Sequence, residues 1–189
     1  MSKAVMVCFR EGEPSSEFRM KLDLLNQRLS PDNIIPPPPL MINNKGILIT
    51  IFNPNEALSI KHTSVCLGNM IAPSENWWNP IAEAPDGTYA LFRSDDNAVE
   101  LVADITASRT IWYVQTEEMF IATTSQRAIV SLLGDFQLNR VTVSWMLSAG
   151  MLGPDNSWDQ RIKTAGSDSR VLLDRASWKL TVQREDGDF

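Results

Sequence analysis

The sequence predicts an α+β domain, rich in strands with a few helices. Three observations predict it. Short runs of β-branched and bulky apolar residues recur between clusters of Gly, Pro, Asn and Asp, only three segments carry helical spacing, and strands and helices do not alternate regularly. The last point favours α+β over a doubly wound parallel sheet. The 189 residues suit one domain at roughly 150 residues per domain, and 43% hydrophobic with 21% charged residues is a globular composition.

The elements follow in order. Ala4 to Phe9 is an apolar run that reads as a first strand buried on both faces. After EGEPSS, the segment Glu17 to Leu29 places Phe18, Leu22, Leu25 and Leu29 three and four apart, one apolar face of a helix with Ser16 as its cap. Ser30, Pro31 and Asp32 end it, and Pro36 to Pro39 force an extended crossing. A stiff connector is the expected role of that crossing, with an SH3-type ligand as the alternative. Asn43 to Gly46 form a hairpin-like turn before a strand running to Phe52, and Lys61 to Leu67 is expected to pair with it.

Ile71 to Pro85 is an irregular excursion carrying Trp77 and Trp78, rings suited to stacking on a base or sugar or to covering a core edge. Thr88 to Arg93 and Val99 to Ala103 read as a hairpin turned by Ser94-Asp95-Asp96-Asn97, and Ile111 to Val114 and Met119 to Ala122 as a second one. Thr123 to Ser125 form an N-cap region for a helix with Ala128, Ile129, Leu132 and Leu133, closed by Gly134. A further helix spans Arg140 to Ala149, with Val141, Trp145 and Leu147 on apolar positions and Gly150 as its stop. Val171 to Asp174 and Trp178 to Val182 are the last two strands.

Several chemistries are disfavoured. Seventeen basic against 23 acidic residues give a net charge of −6, which repels a phosphate backbone, so no nucleic-acid partner is expected. The start has one Lys before six apolar or small residues, too few for a secretory segment, and no apolar run approaches the 18 or so a membrane span needs. A soluble, cytoplasmic protein without membrane contact is the expectation. Cys8 and Cys66 belong to no CxxC and read as buried reduced thiols. His62 is the lone histidine, so a Ser-His-Asp triad would depend on it, without a GxSxG elbow beside it. A solvated histidine near a strand edge is its expected place. No zinc spacing, GxxxxGK[ST] or GxGxxG occurs, and neither a metal nor another cofactor is expected.

From Asp86 to Asp174 an ordered series of motifs stands out: Asp86-Gly87-Thr88-Tyr89-Ala90, Val102-Ala103-Asp104, Ser108-Arg109-Thr110-Ile111-Trp112-Tyr113, Thr124-Ser125-Gln126-Arg127-Ala128-Ile129, Leu147-Ser148-Ala149-Gly150, then Trp158, Ile162 and Val171-Leu172-Leu173-Asp174. This series resembles the end of the glutamine amidotransferase domain that opens asparagine synthetases. The resemblance implies one domain over 1–189, with 1–85 divergent and 86–182 the better-matching half. It also implies a four-layer αββα sandwich of two facing antiparallel sheets, the N-terminal nucleophile hydrolase arrangement.

In active members of that family a cysteine exposed by methionine removal attacks glutamine's side-chain amide, with its own α-amine as base. This chain begins Met1-Ser2-Lys3, and Cys8, inside a strand, has no free amine. The family's RGPD segment, whose Arg grips the substrate carboxylate, is matched only by Leu29-Ser30-Pro31-Asp32, with Arg28 one position early. Its oxyanion-stabilising Asn-Gly pair reads Gly68-Asn69, reversed. Asp86 is the residue that would match its acidic residue.

The resemblance therefore implies a glutaminase-inactive domain, like those of β-lactam synthetases and lasso-peptide cyclases, that is a scaffold for an ATP-dependent synthetase domain or subunit in cis or in trans. A homo-oligomer is compatible with it. Its docking surface is expected among Trp77, Trp78, Trp145, Met146, Met151 and Trp158, residue types enriched at interfaces, with core burial as the alternative for each. Two other functions are open. Ser2, freed by methionine removal, could act as an N-terminal nucleophile in an amidohydrolase, with Asp86 as a candidate site residue, or a pocket between the sheets could bind a small amide or peptide.

Overall fold

A strand with no polar alternation needs an apolar layer on each side, and both layers are present around β1 (Lys3–Phe9), whose five central residues are all buried. The computed structural model describes residues 2–30, 33 and 35–184. Two six-stranded sheets face each other and are flanked by three helices, a four-layer αββα sandwich. The first sheet has the order β10 (Lys163–Ala165), β8 (Ile111–Gln115), β9 (Met119–Thr123), β1, β3 (Ile47–Phe52), β2 (Leu40–Asn44). The second has the order β12 (Lys179–Arg184), β11 (Ser169–Asp174), β7 (Ala98–Ala103), β6 (Asp86–Ser94), β5 (Ser64–Ile71), β4 (Leu58–Lys61). Neighbouring strands pair antiparallel in both.

Side-chain alternation assigns the layers. Ala4, Met6 and Cys8 join Ile47, Ile49, Ile51, Phe120 and Ala122 against Val65, Leu67, Ala90, Phe92, Leu101 and Val171 of the other sheet, forming the core between them. Val5 and Val7 point the other way. They meet Phe18, Leu22, Leu25 and Leu29 of α1 (Ser16–Leu29) and Ala128, Ile129 and Leu132 of α2 (Gln126–Leu133). On the outer face of the second sheet, Cys66, Tyr89, Leu91 and Val102 form a smaller cluster covered by Met70, Trp77 and Ala84. Cys8 and Cys66 are buried free thiols, and burial lifts both pKa values, that of Cys66 to about 12.

The segment 72–85 is held on that outer face by a buried cation. Arg93 is fully buried, and its guanidinium donates to the carbonyls of Trp77 (2.6 Å), Ala82 (2.8 Å) and Glu83 (2.9 Å) and to Glu100 Oε2 (3.1 Å). Arg93 and Glu100 stand directly opposite each other in the β6–β7 register. Glu100 Oε2 also accepts the Ile81 N–H, and Arg170 lies 3.6 Å from Glu100 Oε1. Burial lowers the Arg93 pKa while the bond to Glu100 opposes that shift.

Several expectations are corrected. Ser15, not Ser16, caps α1, its hydroxyl accepting from the Phe18 N–H. Ser30 closes the helix through bonds to the Gln27 and Asn26 carbonyls, while Pro31 and Asp32 lie outside the described residues. Lys61 to Leu67 is not one strand paired with β3. His62, at φ 52°, turns the chain between β4 and β5, and β5 pairs with β6 in the other sheet. The turn before β3 does form a hairpin, with β2, through Lys45 and Gly46 at φ 45° and 76°, the pair of positive values that a two-residue type I′ loop requires. In α3 (Arg140–Ala149) the apolar positions do not face the core: Val141 is 57% and Leu147 84% exposed, and Thr142 is the buried residue. No helix among the described residues is long and apolar enough to cross a membrane.

The Arg93 arrangement yields a stability prediction. Arg93→Met leaves a buried carboxylate without its main partner, and we expect a loss of about 3–5 kcal/mol in urea unfolding together with a red-shifted tryptophan emission as the covering segment loosens. Adding Glu100→Leu should cost much less than the sum of the two single changes, because the second substitution removes the stranded charge.

Candidate functional site

Ser2 precedes β1 on the side that carries Ala4, Met6 and Cys8, so alternation turns it toward the space between the sheets. It is 1% exposed, and its hydroxyl donates to Asn55 Oδ1 at 3.2 Å. The same oxygen accepts the Ala57 N–H, also at 3.2 Å. Asn55 thus ties the start of β1 to the crossing from β3 to β4, a partner that sequence reasoning missed. An amide oxygen can accept this hydrogen bond but takes no proton at neutral pH, so Asn55 orients the hydroxyl without activating it.

Asp86 lies elsewhere. It opens β6, is exposed, pairs with Ile71, and borders a cleft of about 360 Å³ with Glu83, Asp104, Asp168 and Arg170. Ser2 does not line that cleft. Asp104 on its wall is committed to the turn that follows β7. One carboxylate oxygen accepts from the Thr106 N–H (2.9 Å), the Thr106 hydroxyl (2.8 Å) and the Ser108 N–H (3.2 Å). The other accepts from the Tyr89 N–H (2.8 Å) and the Ser108 hydroxyl. Burial alone would raise the Asp104 pKa, but these donors together hold it below the usual carboxylate range.

Gly68 and Asn69 occupy the end of β5. Gly68, at φ 130°, lies so close to β6 that an added Cβ would fall 2.2 Å from the Thr88 carbonyl oxygen, and Asn69 is exposed opposite Thr88. Arg28, at the end of α1, is on the outer side of the first sheet rather than between the sheets, where it borders a second cleft with Lys3 and Arg127. His62 is exposed, with its ring edge-on to Trp78 at 4.4 Å between centroids. Among the described residues no three His, Cys, Asp or Glu side chains gather as a metal site.

The aromatic and methionine candidates divide into two groups. Trp77 and Trp78 belong to the covering segment: both are half-buried, their carbonyls accept from Arg93 and from the Ser64 hydroxyl, and Trp77 packs on the outer cluster. Trp145, Met146, Met151 and Trp158 belong to a lobe built from α3 and the chain that returns beside it. Trp145 and Trp158 are each 39% exposed, Met151 is 56% exposed and Met146 is half-buried. Trp145 lies across Gly153, where an added Cβ would come within 2.7 Å of its ring. Phe136, Leu138, Val141 and Leu147 extend the exposed apolar surface and were not among the sequence candidates.

Polar groups hold this lobe in shape. Asn139 caps α3, accepting the N–H groups of Val141 and Thr142, and its own N–H donates to the Trp158 carbonyl. The Thr142 hydroxyl donates to the Ser157 carbonyl at 2.8 Å, both residues being buried. Buried Asp159 accepts from the Gln137 N–H and from the N–H, Nε and Nη2 of Arg161, which also reaches Asp135 at 2.7 Å. Burial pushes the Asp159 pKa up, but the Arg161 and backbone donors outweigh it and leave the pKa depressed.

Two predictions follow from these contacts. Asp159 stabilises the fold above its ordinary pKa near 4, and that contribution is lost as pH falls through the depressed native value. The stability gap between wild type and Asp159→Asn in urea unfolding should therefore be widest near neutral pH and narrow on acidification below about pH 4. Gly68→Ala sets a methyl group against the β6 backbone at a positive φ and should destabilise by about 3 kcal/mol or more, read as a lowered urea midpoint.

A scan of protein-family models and a search of curated proteins both return no match to this chain.

Proposed function

We propose that this chain is an amidotransferase-like framework without glutaminase chemistry, which docks on an ATP-dependent synthetase domain or subunit, in cis or in trans, through the apolar face of its α3 lobe. The observation that carries the reading is the state of α3. It is a capped ten-residue helix fixed by a buried hydroxyl and a network around Asp159, yet Val141 and Trp145, four apart on one side, and Leu147 on another stay exposed, as do Met151 and Trp158 of the same lobe. Rigid apolar surface of aromatic and methionine type loses water at a partner with little loss of conformational entropy. Trp77 and Trp78 are left out of this face because the Trp77 ring packs on the outer cluster of its own sheet and the Trp78 ring lies against His62.

Amide hydrolysis by Ser2 is the second reading, and its place just before β1, on the side that alternation turns inward, favours it. Against it stand the near-complete burial of Ser2, which lines neither cleft, and the placement of Asp86 and Arg28 at those two clefts.

Docking is tested by co-expressing the chain with the ATP-dependent synthetase encoded in cis or beside it. A complex is expected whose hydrogen-exchange protection falls on 138–158. Leu147→Asp with Met151→Asp should weaken it about tenfold or more while leaving the thermal midpoint of the isolated chain within a degree or two. Protection confined to other surfaces, or an unweakened complex, contradicts the assignment.

A further inference from the structure

Lys3 is the next residue along β1 after Ser2, so its side chain leaves by the opposite face, on the side of Val5 and Val7, between the C-terminal end of α1 and the N-terminal end of α2. It enters there a cleft of about 670 Å³. Arg28 and Arg127 reach the same cleft, so three cations line one cavity of a chain whose net charge is −6. No carboxylate lines it among the described residues. Like charges held close together in an otherwise acidic molecule are unfavourable unless something answers them.

The fold answers them only in part. Lys3 Nζ donates to the Leu29 carbonyl at 2.8 Å and Arg127 to the Arg28 carbonyl at 3.4 Å, which satisfies the negative end of α1 but uses one donor of each side chain. The Arg28 guanidinium meets no acceptor among the described residues. The opening of α2 adds donors of its own. Ser125 sits at its N-cap position without using its hydroxyl to cap, and the first turn holds no acidic residue. The Gln126 and Arg127 N–H groups therefore stay available beside the cations. Apolar lining comes from Leu29, Pro36, Pro37 and Phe52, beside Ser30 and Asn53.

We propose that this cleft binds a phosphate-bearing small molecule, with its phosphate between Arg28, Arg127 and Lys3 at the start of α2 and its organic part along Pro36, Pro37 and Phe52. The volume suits a small metabolite better than a lone ion, and two guanidinium groups match the forked geometry of phosphate oxygens. Trp158 of the α3 lobe lines a neighbouring hollow with Ser125 and Arg127, whereas Arg28, Lys3, Pro36 and Pro37 do not border it, so Arg28→Gln tests this assignment apart from docking.

The test is isothermal titration of the full chain at low ionic strength, with phenyl phosphate and inorganic phosphate as probes. Saturable binding is expected, tighter for phenyl phosphate because of the apolar lining. Arg28→Gln with Arg127→Gln should weaken it about tenfold or more, whereas Lys61→Gln with Lys179→Gln, which removes the same charge from exposed positions elsewhere, should leave it unchanged. Arg28→Gln alone cuts no described hydrogen bond. It keeps the test decisive if the double variant folds poorly, and it should weaken binding at an unchanged thermal midpoint. Absence of saturable binding, equal weakening by both charge pairs, or full affinity in Arg28→Gln overturns the proposal.

Discussion

Two charges buried across one strand pair decide how the second sheet is finished. Arg93 and Glu100 face each other inside β6 and β7, where neither can be hydrated, so their remaining donors and acceptors must be met by protein. The chain that meets them is the segment before β6, folded back so that the carbonyls of Trp77, Ala82 and Glu83 and the N–H of Ile81 point into the sheet face. A Pro-rich stretch with no regular structure thereby becomes a fixed outer cover. Its two tryptophans are anchored through their backbone carbonyls, and the Trp77 ring packs on the outer cluster.

The alternation of β1 sets out the rest of the functional geography. Consecutive residues at its start serve opposite faces: Ser2 turns inward to Asn55, and Lys3 turns outward to the cationic cleft between α1 and α2. The inward position is where the resemblance puts a nucleophile, yet its surroundings hold the hydroxyl to an amide. The outward position gathers positive charge in an acidic protein. The α3 lobe meets the start of α2, where the Trp158 N–H donates to Gln126 Oε1, and is fixed by Asp159 and Arg161.

What the sequence made legible follows the strength of the local signal. β1, β3, β6, β7, β8 and β9 are dense apolar runs and were all readable, as were α1 from its three-and-four spacing and the Gly134 and Gly150 stops. β2, β4 and β10 were not. β2 and β4 are sheet edges and β10 has three residues, so none buries enough apolar side chain to write a pattern. The sheet partner of β5 was misread because a positive φ at His62 leaves no sequence signal that separates a turn from a continuing strand. Arg93 and Glu100 did leave one, a charge inside each of two apolar strands that face each other in a hairpin. The α3 face was half legible: its helix could be read, but whether Val141 and Leu147 are covered depends on layers that no local spacing encodes.

The proposed function holds that this αββα sandwich carries no glutaminase chemistry at Ser2. Glutamate release from glutamine by the purified chain, compared with that of Ser2→Ala, tests it most directly. The account predicts no release above the uncatalysed rate from either protein. Turnover by the wild-type chain that vanishes in Ser2→Ala would contradict it.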